Sequence, residues 1–339
     1  MDVKVLLKST LQAAGLTPSA KRSLLEMRLL GERVKFLVQP RPQPGDAILL
    51  AGAGRSGTTW LAEVLASVAG VQQIFEPLLF NPHVYQLTNW PPPPVETYLR
   101  LYYLRPGGSY PGWHALLERI LTGRYRTYLT DSHRTSLFSG RYLIKEIRAN
   151  LMLGYIYDHF QPTIIYMKRH PCAVVASRMR LNWRVDLDEL LRQEELVADY
   201  LSRWVSDIER ARHNPLEAHA IWCAVESMVA EQDLATRKHY LLHYEHLVLD
   251  PEQRLKALLS WLGLKGVGAI PQHVIERESR TTWNDSIKAE PSEHRHHQER
   301  WKQSLSRSEQ FLILEWSHRL GVRDYRDGVL PVANEAAPR

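Results

Sequence analysis

The chain has 339 residues, 44% hydrophobic and 24% charged, the composition of a globular protein able to bury a large core in one large domain or two. Its 43 Lys and Arg against 37 Asp and Glu leave a formal charge of +6; that balance favours an anionic ligand, but it is dispersed rather than gathered in a stripe, which argues against nucleic-acid binding. Two cysteines, Cys172 and Cys223, exclude a disulfide framework and fit a reducing compartment.

No stretch approaches the ~20 apolar residues of a membrane span, so neither a signal peptide nor a transmembrane helix is expected, and a cytoplasmic location is. Residues 1–38 place Leu24, Leu25, Leu29 and Leu30 among Lys21, Arg22, Glu26 and Arg28. That spacing predicts an amphipathic helix packed on the body, with contact to a membrane surface or a partner as the alternative. Pro40, Pro42, Pro44 and Gly45 break the chain before an apolar run at 47–51, too brief for a helix and suited to a buried parallel strand.

A glycine-rich turn follows, then a helical pattern over 59–69 with Leu61, Val64, Leu65 and Val68 on one face. Residues 71–76 read as a second strand ending at Glu76-Pro77. The segment 80–140 is less regular, with prolines at 91–94 and the aromatics Trp90, Tyr98, Tyr102, Tyr103, Tyr110 and Trp113. Short buried strands are predicted at 141–147 and 163–167 around a helix over 150–160, with another strand near 240–243. Strand and helix in alternation predict a three-layer α/β fold of the P-loop NTPase kind, a central parallel sheet flanked by helices with a mostly helical C-terminal third. The expected division is an N-terminal helical extension at 1–45, one domain at 46–325 and a tail at 326–339.

Gly52-Ala53-Gly54-Arg55-Ser56-Gly57-Thr58-Thr59 has the Gly-x-x-x-x-Gly spacing of a phosphate loop and stands between strand and helix. Glycines let backbone N–H groups turn to an anion, and the helix N-terminus adds partial positive charge. The lysine that normally reaches β- and γ-phosphates is replaced by Thr58. The strand at 163–167 ends in Lys168-Arg169-His170 rather than an acidic magnesium ligand. One loop for a phosphate beside a basic strand end for another describes a pocket for a nucleotide phosphorylated at two places, with no metal required; a degenerate nucleotide site is the open alternative.

These residues resemble the sulfotransferases that use 3′-phosphoadenosine-5′-phosphosulfate (PAPS). Arg55-Ser56-Gly57-Thr58-Thr59-Trp60 is similar to the family's 5′-phosphosulfate loop. Residues 169–178 are similar to its 3′-phosphate motif, which implies that Arg169 and Ser177, eight positions apart, hold that phosphate. Tyr244-Glu245-His246-Leu247 resembles a Tyr-Glu-Asp-Leu segment, with His246 in place of the aspartate. The resemblance implies PAPS as donor, adenosine 3′,5′-bisphosphate as product, Arg55 at the leaving phosphate, Ser56, Gly57, Thr58 and Thr59 as donors to it, and Trp60 and Tyr244 near adenine. The family's late Arg-Lys-Gly loop is absent, and Ser279 and Arg280 are the substitute.

Many family members place a catalytic histidine two residues after a strand lysine. Here that stretch is Lys145-Glu146-Ile147, and Ile147 takes no proton. Phe75-Glu76-Pro77-Leu78 resembles the segment of the carbohydrate-modifying branch in which a glutamate is the proposed base. Glu76 is therefore the expected base, Lys145 the cation at the transferring group, and Glu146 the runner-up, placed by strand alternation on the face opposite Lys145. The expected acceptor is a carbohydrate hydroxyl, on that resemblance and on the aromatics of 85–113; a phenol, lipid, small alcohol or amine stays open, as does a P-loop nucleotide or sugar kinase. His294, His296 and His297 are crowded and lack a companion pair at zinc spacing, so they read as a solvated loop and no metal site is expected.

Overall fold

The computed structural model describes residues 42–79, 81–88, 100–127, 129–131, 140–264, 270 and 299–332, together with Ser23. The expected N-terminal helix, Trp90, residues 91–94, Tyr98, Ser279, Arg280 and the three histidines at 294–297 lie outside the described residues.

Five parallel strands, β1 (Ile48–Gly52), β2 (Val71–Phe75), β3 (Arg141–Lys145), β4 (Thr163–Lys168) and β5 (His239–His243), lie in the order β2-β3-β1-β4-β5. Only Arg141 and Thr163, at strand starts, escape full burial. A sheet covered on both faces leaves no strand position for alternation, which is why β1 and β4 read as apolar runs, while β2 buries Gln72 and Gln73. β3 stops at Lys145, two residues before its expected end; Glu146 N–H donates to Leu50 O (3.0 Å) as a last ladder bond and the chain then turns.

The helices are α1 (Thr58–Ala66), α2 (Pro82–Thr88), α3 (Pro111–Leu121), α4 (Leu153–Phe160), α5 (Pro171–Arg180), α6 (Val205–Ala211), α7 (Pro215–Leu234), α8 (Tyr244–Leu249), α9 (Pro251–Trp261) and α10 (Arg307–Arg319), with shorter turns between them. α2, α3, α5, α7 and α9 each start on proline, whose missing N–H would be unpaired there anyway and whose fixed φ suits the first turn. Asn214 caps α7 and Asp250 caps α9, each accepting from a backbone N–H at 3.2 Å; Ser306 and Glu309 form a reciprocal box at α10.

Alternate strand residues feed two cores. Leu49, Ile74, Ile144, Ile164 and Leu241 pack under α3 and α4, and Ile48, Leu50, Leu143, Ile165 and Leu242 pack under α1, α8 and α9. A third cluster joins α5, α7 and α10. α7 is buried around most of its circumference, so it shows no amphipathic stripe. Because β1 sits between β3 and β4, the C-terminal ends of these three strands share one edge, where an open parallel sheet gathers its ligands. No helix among the described residues is long and apolar enough to cross a membrane.

Candidate active site

The loop after β1 is shaped by two close approaches. At Gly52, φ is +151° and a Cβ would lie 2.3 Å from Met167 O, so only glycine lets β1 and β4 run this near. At Gly57, φ is +91° and a Cβ would lie 2.5 Å from Cδ2 of Tyr244, whose ring covers the loop. Arg55 has φ +83°, a left-handed conformation unfavourable for a residue with a Cβ. Ser56 N–H donates to Ala53 O (2.9 Å), and Gly57 precedes the first turn of α1, which opens with Thr58 and Thr59. Ser56 is fully buried, and its hydroxyl has no partner among the described residues. Trp60 is half-buried and packs with Tyr244 against the α1 core.

The second motif meets this loop directly. Arg55 Nε donates to Ser177 Oγ (3.1 Å), and an Arg169 terminal nitrogen donates to Arg55 O (2.9 Å). The Arg169 guanidinium lies 4.3 Å from the Tyr244 ring centroid, a cation–π geometry. Burial lowers the Arg55 pKa to about 10, with further lowering from Arg169, Arg180 and Arg178. Cations crowded at a partly desolvated place repel one another, and a bound anion relieves that repulsion. Arg169 Nε is buried and has no partner among the described residues, a second unused donor at this spot.

Two members of the expected basic strand end do not face an anion. Lys168 is buried and ion-paired with Glu231 and Asp324. His170 caps α5 by accepting from Cys172 N–H (3.2 Å), stacks on Trp301 at 4.3 Å and is pushed down to about 4 by burial, so it is neutral. Of the three basic residues, only Arg169 turns to the loop.

A second charge cluster lies where β2 and β3 end. Glu76, at φ +40°, donates its N–H to Lys145 O (2.8 Å). Its buried carboxylate bridges Lys145 and Arg148, the latter at 2.7 Å. Burial alone would raise the Glu76 pKa, but Lys145 and then Arg148 reverse the effect and leave it at about 2. Lys145 Nζ also lies 4.8 Å from the Phe75 ring centroid.

Glu146 is not on an opposite face: it shares Arg148 with Glu76 (3.4 Å to Glu146), because β3 has already ended and alternation no longer applies. Its carboxylate accepts Leu78 N–H (2.7 Å) and Arg148 N–H (3.0 Å). Burial pushes the Glu146 carboxyl up, against the pull of Arg148.

The aromatics of 85–113 serve the core more than a pocket. Tyr102, Tyr103 and Trp113 are buried, Tyr102 packs on Trp113 at 5.3 Å, and Tyr103 donates to Asp199 (2.7 Å). Tyr85 remains half-exposed. Sequence reasoning gave no role to Arg148, Arg178, Glu226 or Asn150. Glu226 carried a signal, a lone acid in the apolar stretch 220–230 of α7; Arg178 follows Ser177 within the quoted motif. Among the described residues no group of three or more His, Cys, Asp and Glu is arranged to hold a metal ion.

A glycine-rich loop at the centre of a five-stranded parallel sheet, met by a second cationic motif after the next strand, defines an α/β protein of P-loop-like fold. Residues 47–267 match the profile of the sulfotransferase family, and the chain belongs to that family. Among solved structures, the sulfotransferase domain from the curacin biosynthetic pathway is similar at 18% identity over 79% of this chain and 96% of its own, with a TM-score of 0.44. The sulfotransferase domain of the Synechococcus PCC 7002 olefin synthase shows 15% identity over 83% and 96%, with a TM-score of 0.39. A sulfotransferase from Alicyclobacillus acidocaldarius shows 15% over 82% and 96%, with a TM-score of 0.37. A comparison with curated proteins found no match.

Proposed function

We propose that the chain transfers a sulfuryl group from PAPS to an acceptor hydroxyl, within a catalytic unit spanning residues 46–325. The observation that carries the donor assignment is the junction of the two motifs. Arg55 at the β1 loop and Ser177 on α5 are hydrogen-bonded, with Arg169 on the same loop, so two anionic groups of one ligand have cations and hydroxyls within a short span. Ser56, Gly57, Thr58 and Thr59 hold the 5′-phosphosulfate, Arg169 and Ser177 the 3′-phosphate, and Trp60 and Tyr244 flank the adenine, with Ser279 and Arg280 in the late loop. The Ser56 hydroxyl and Arg169 Nε, without partners among the described residues, fit such a ligand. The donor supplies an activated sulfur and a leaving phosphate, so no metal is required.

Glu76 is the proposed base. Its partners are side chains that can move, whereas Glu146 is engaged by backbone N–H groups and serves to fix the turn. At rest Glu76 is ionised and a weak base. An anion on the donor side draws Lys145 toward the transferring group, and the Glu76 carboxylate then gains proton affinity as the acceptor hydroxyl attacks in line. Arg55 offsets the charge that grows on the leaving phosphate.

The proposed acceptor class is a carbohydrate or glycoconjugate hydroxyl, supported by the Phe75–Leu78 resemblance alone, since Tyr102, Tyr103 and Trp113 are core. The test is transfer of label from ³⁵S-labelled PAPS to a panel of sugars, phenols, lipid alcohols and amines. Label on a sugar alone supports the whole reading; label on another class replaces the acceptor; no transfer to any class, with no donor binding, overturns it.

A further inference from the structure

The buried pair Arg178–Glu226 has no part in the assignments above, yet it reaches the centre of the loop. Both residues are fully buried. Arg178 Nε donates to Gly54 O (3.1 Å), and another of its nitrogens is ion-paired with Glu226 of α7. The second Glu226 oxygen accepts from Asn150 Nδ2 (3.1 Å), which also donates to Ile147 O (3.1 Å). The carboxylate is thus held from two sides, and it in turn fixes the guanidinium.

The consequence falls on Arg55. Its flanking carbonyls are both taken by guanidinium groups, Gly54 O by Arg178 and Arg55 O by Arg169. Holding both carbonyls fixes both peptide planes, because each peptide is rigid. That fixes φ of Arg55 at +83°, a conformation the residue would not choose in isolation. In that conformation its Nε meets Ser177 Oγ.

We propose that Arg178 and Glu226 are positioning residues which lock the phosphate loop in its anion-receiving conformation, acting through the Gly54 carbonyl rather than by touching the ligand. This deepens the donor reading above and rests on the loop being its anion site. A charge effect and a positioning effect differ here in sign. Removing the Glu226 charge makes the region more positive, so Coulomb's law alone predicts tighter anion binding. Loss of the brace predicts weaker binding.

The experiment is calorimetric titration of the full chain with adenosine 3′,5′-bisphosphate and, separately, with pyrophosphate, for the wild type, Glu226→Gln and Arg178→Lys. Glu226→Gln keeps the shape and loses the charge; Arg178→Lys keeps the charge and loses the two-pronged geometry. Both are expected to weaken binding about tenfold or more, the scale of one lost charge-assisted hydrogen bond, at a temperature where melting curves show them folded. Equal or tighter binding by Glu226→Gln, or unchanged binding by Arg178→Lys, overturns the proposal, and either variant decides if the other does not fold. A wild type that binds pyrophosphate but not the bisphosphate sinks the donor reading while the variants still judge the brace. Binding of neither ligand ends both.

Discussion

The loop after β1 and the cluster at the ends of β2 and β3 are both dense in buried charge, yet they are built in opposite ways. In the loop, Arg55 is crowded by Arg169, Arg180 and Arg178, and Ser56 Oγ and Arg169 Nε have no partner among the described residues. In the other cluster two carboxylates, Glu76 and Glu146, meet two cations, Lys145 and Arg148, and the charges are matched. Buried polar atoms without partners are costly, and an anion bound at the loop would satisfy the two there. A matched cluster needs none, and it changes state only when an arriving charge pulls one member away. On the function proposed above, the difference would separate binding from chemistry: the first region would hold the donor, and the second would answer its arrival.

The largest expected effect attacks the second region. Glu76→Gln keeps shape but removes basicity, so turnover should fall roughly 10²- to 10⁴-fold while affinity for adenosine 3′,5′-bisphosphate stays within about twofold. Steady-state rates and titration calorimetry measure the two quantities. Glu146→Gln should cost much less, and the reverse order would move the role to Glu146.

A middle-sized effect sharpens the contrast within one strand end. Arg169→Ala should weaken bisphosphate binding by about 2 kcal/mol, roughly 30-fold, the scale of a lost charge-assisted contact. Lys168→Met, one residue earlier, should leave that affinity unchanged. It should instead lower stability by about 2–3 kcal/mol, because Glu231 and Asp324 lose their shared cation and both carboxylates keep some access to water. Denaturant melts and binding isotherms on the same two variants separate these outcomes, and weakened binding in Lys168→Met would return that residue to the site.

How much of this was legible in the sequence follows from how far apart the partners lie. β1 and β4 showed as apolar runs because the sheet is covered on both faces, and the loop showed because residues 52–59 are contiguous. Arg169 and Ser177 could be named together for a similar reason, as one contiguous stretch that resembles a family motif. Glu76 was visible, but its partner Arg148 lies 72 positions away, and the carbonyl that Arg178 holds is 124 positions away. No local pattern carries such contacts. Lys168 misled because residue type does not reveal whether a cation is already paired, and His170 because it does not reveal that burial keeps the ring neutral. Tyr102, Tyr103 and Trp113 misled because an aromatic suits a core as well as a pocket.

The smallest expected effect is a slope in stability with pH. Burial lowers the pKa of His170 and of His219 from 6.5 to about 4, so both are neutral in the fold while the unfolded chain takes up protons below about 6.5. The stability they contribute is fully present above 6.5 and is lost as pH falls from there to about 4. The depressed Glu76 carboxylate adds a further loss only lower, from about 4.5 down to about 2. Melting temperatures across this range should fall with acidity, and His219→Gln should flatten the upper part of the slope; a flat profile between pH 6.5 and 4 would contradict the neutral, buried histidines.

The most direct test of the donor site is a comparison of melting temperatures of the full chain with adenosine 3′,5′-bisphosphate and with ATP and magnesium at equal concentration. A ligand that binds only the folded state stabilises it by RT ln(1 + L/Kd), where L is the free ligand concentration, and so raises the melting temperature more the tighter it binds at a given concentration. The loop offers Thr58 where a P-loop lysine would stand, and Arg169 and Ser177 beside it, so the bisphosphate should give the larger shift. An equal or larger shift from ATP with magnesium would contradict the account of a two-phosphate donor site and restore a kinase-type reading of the loop.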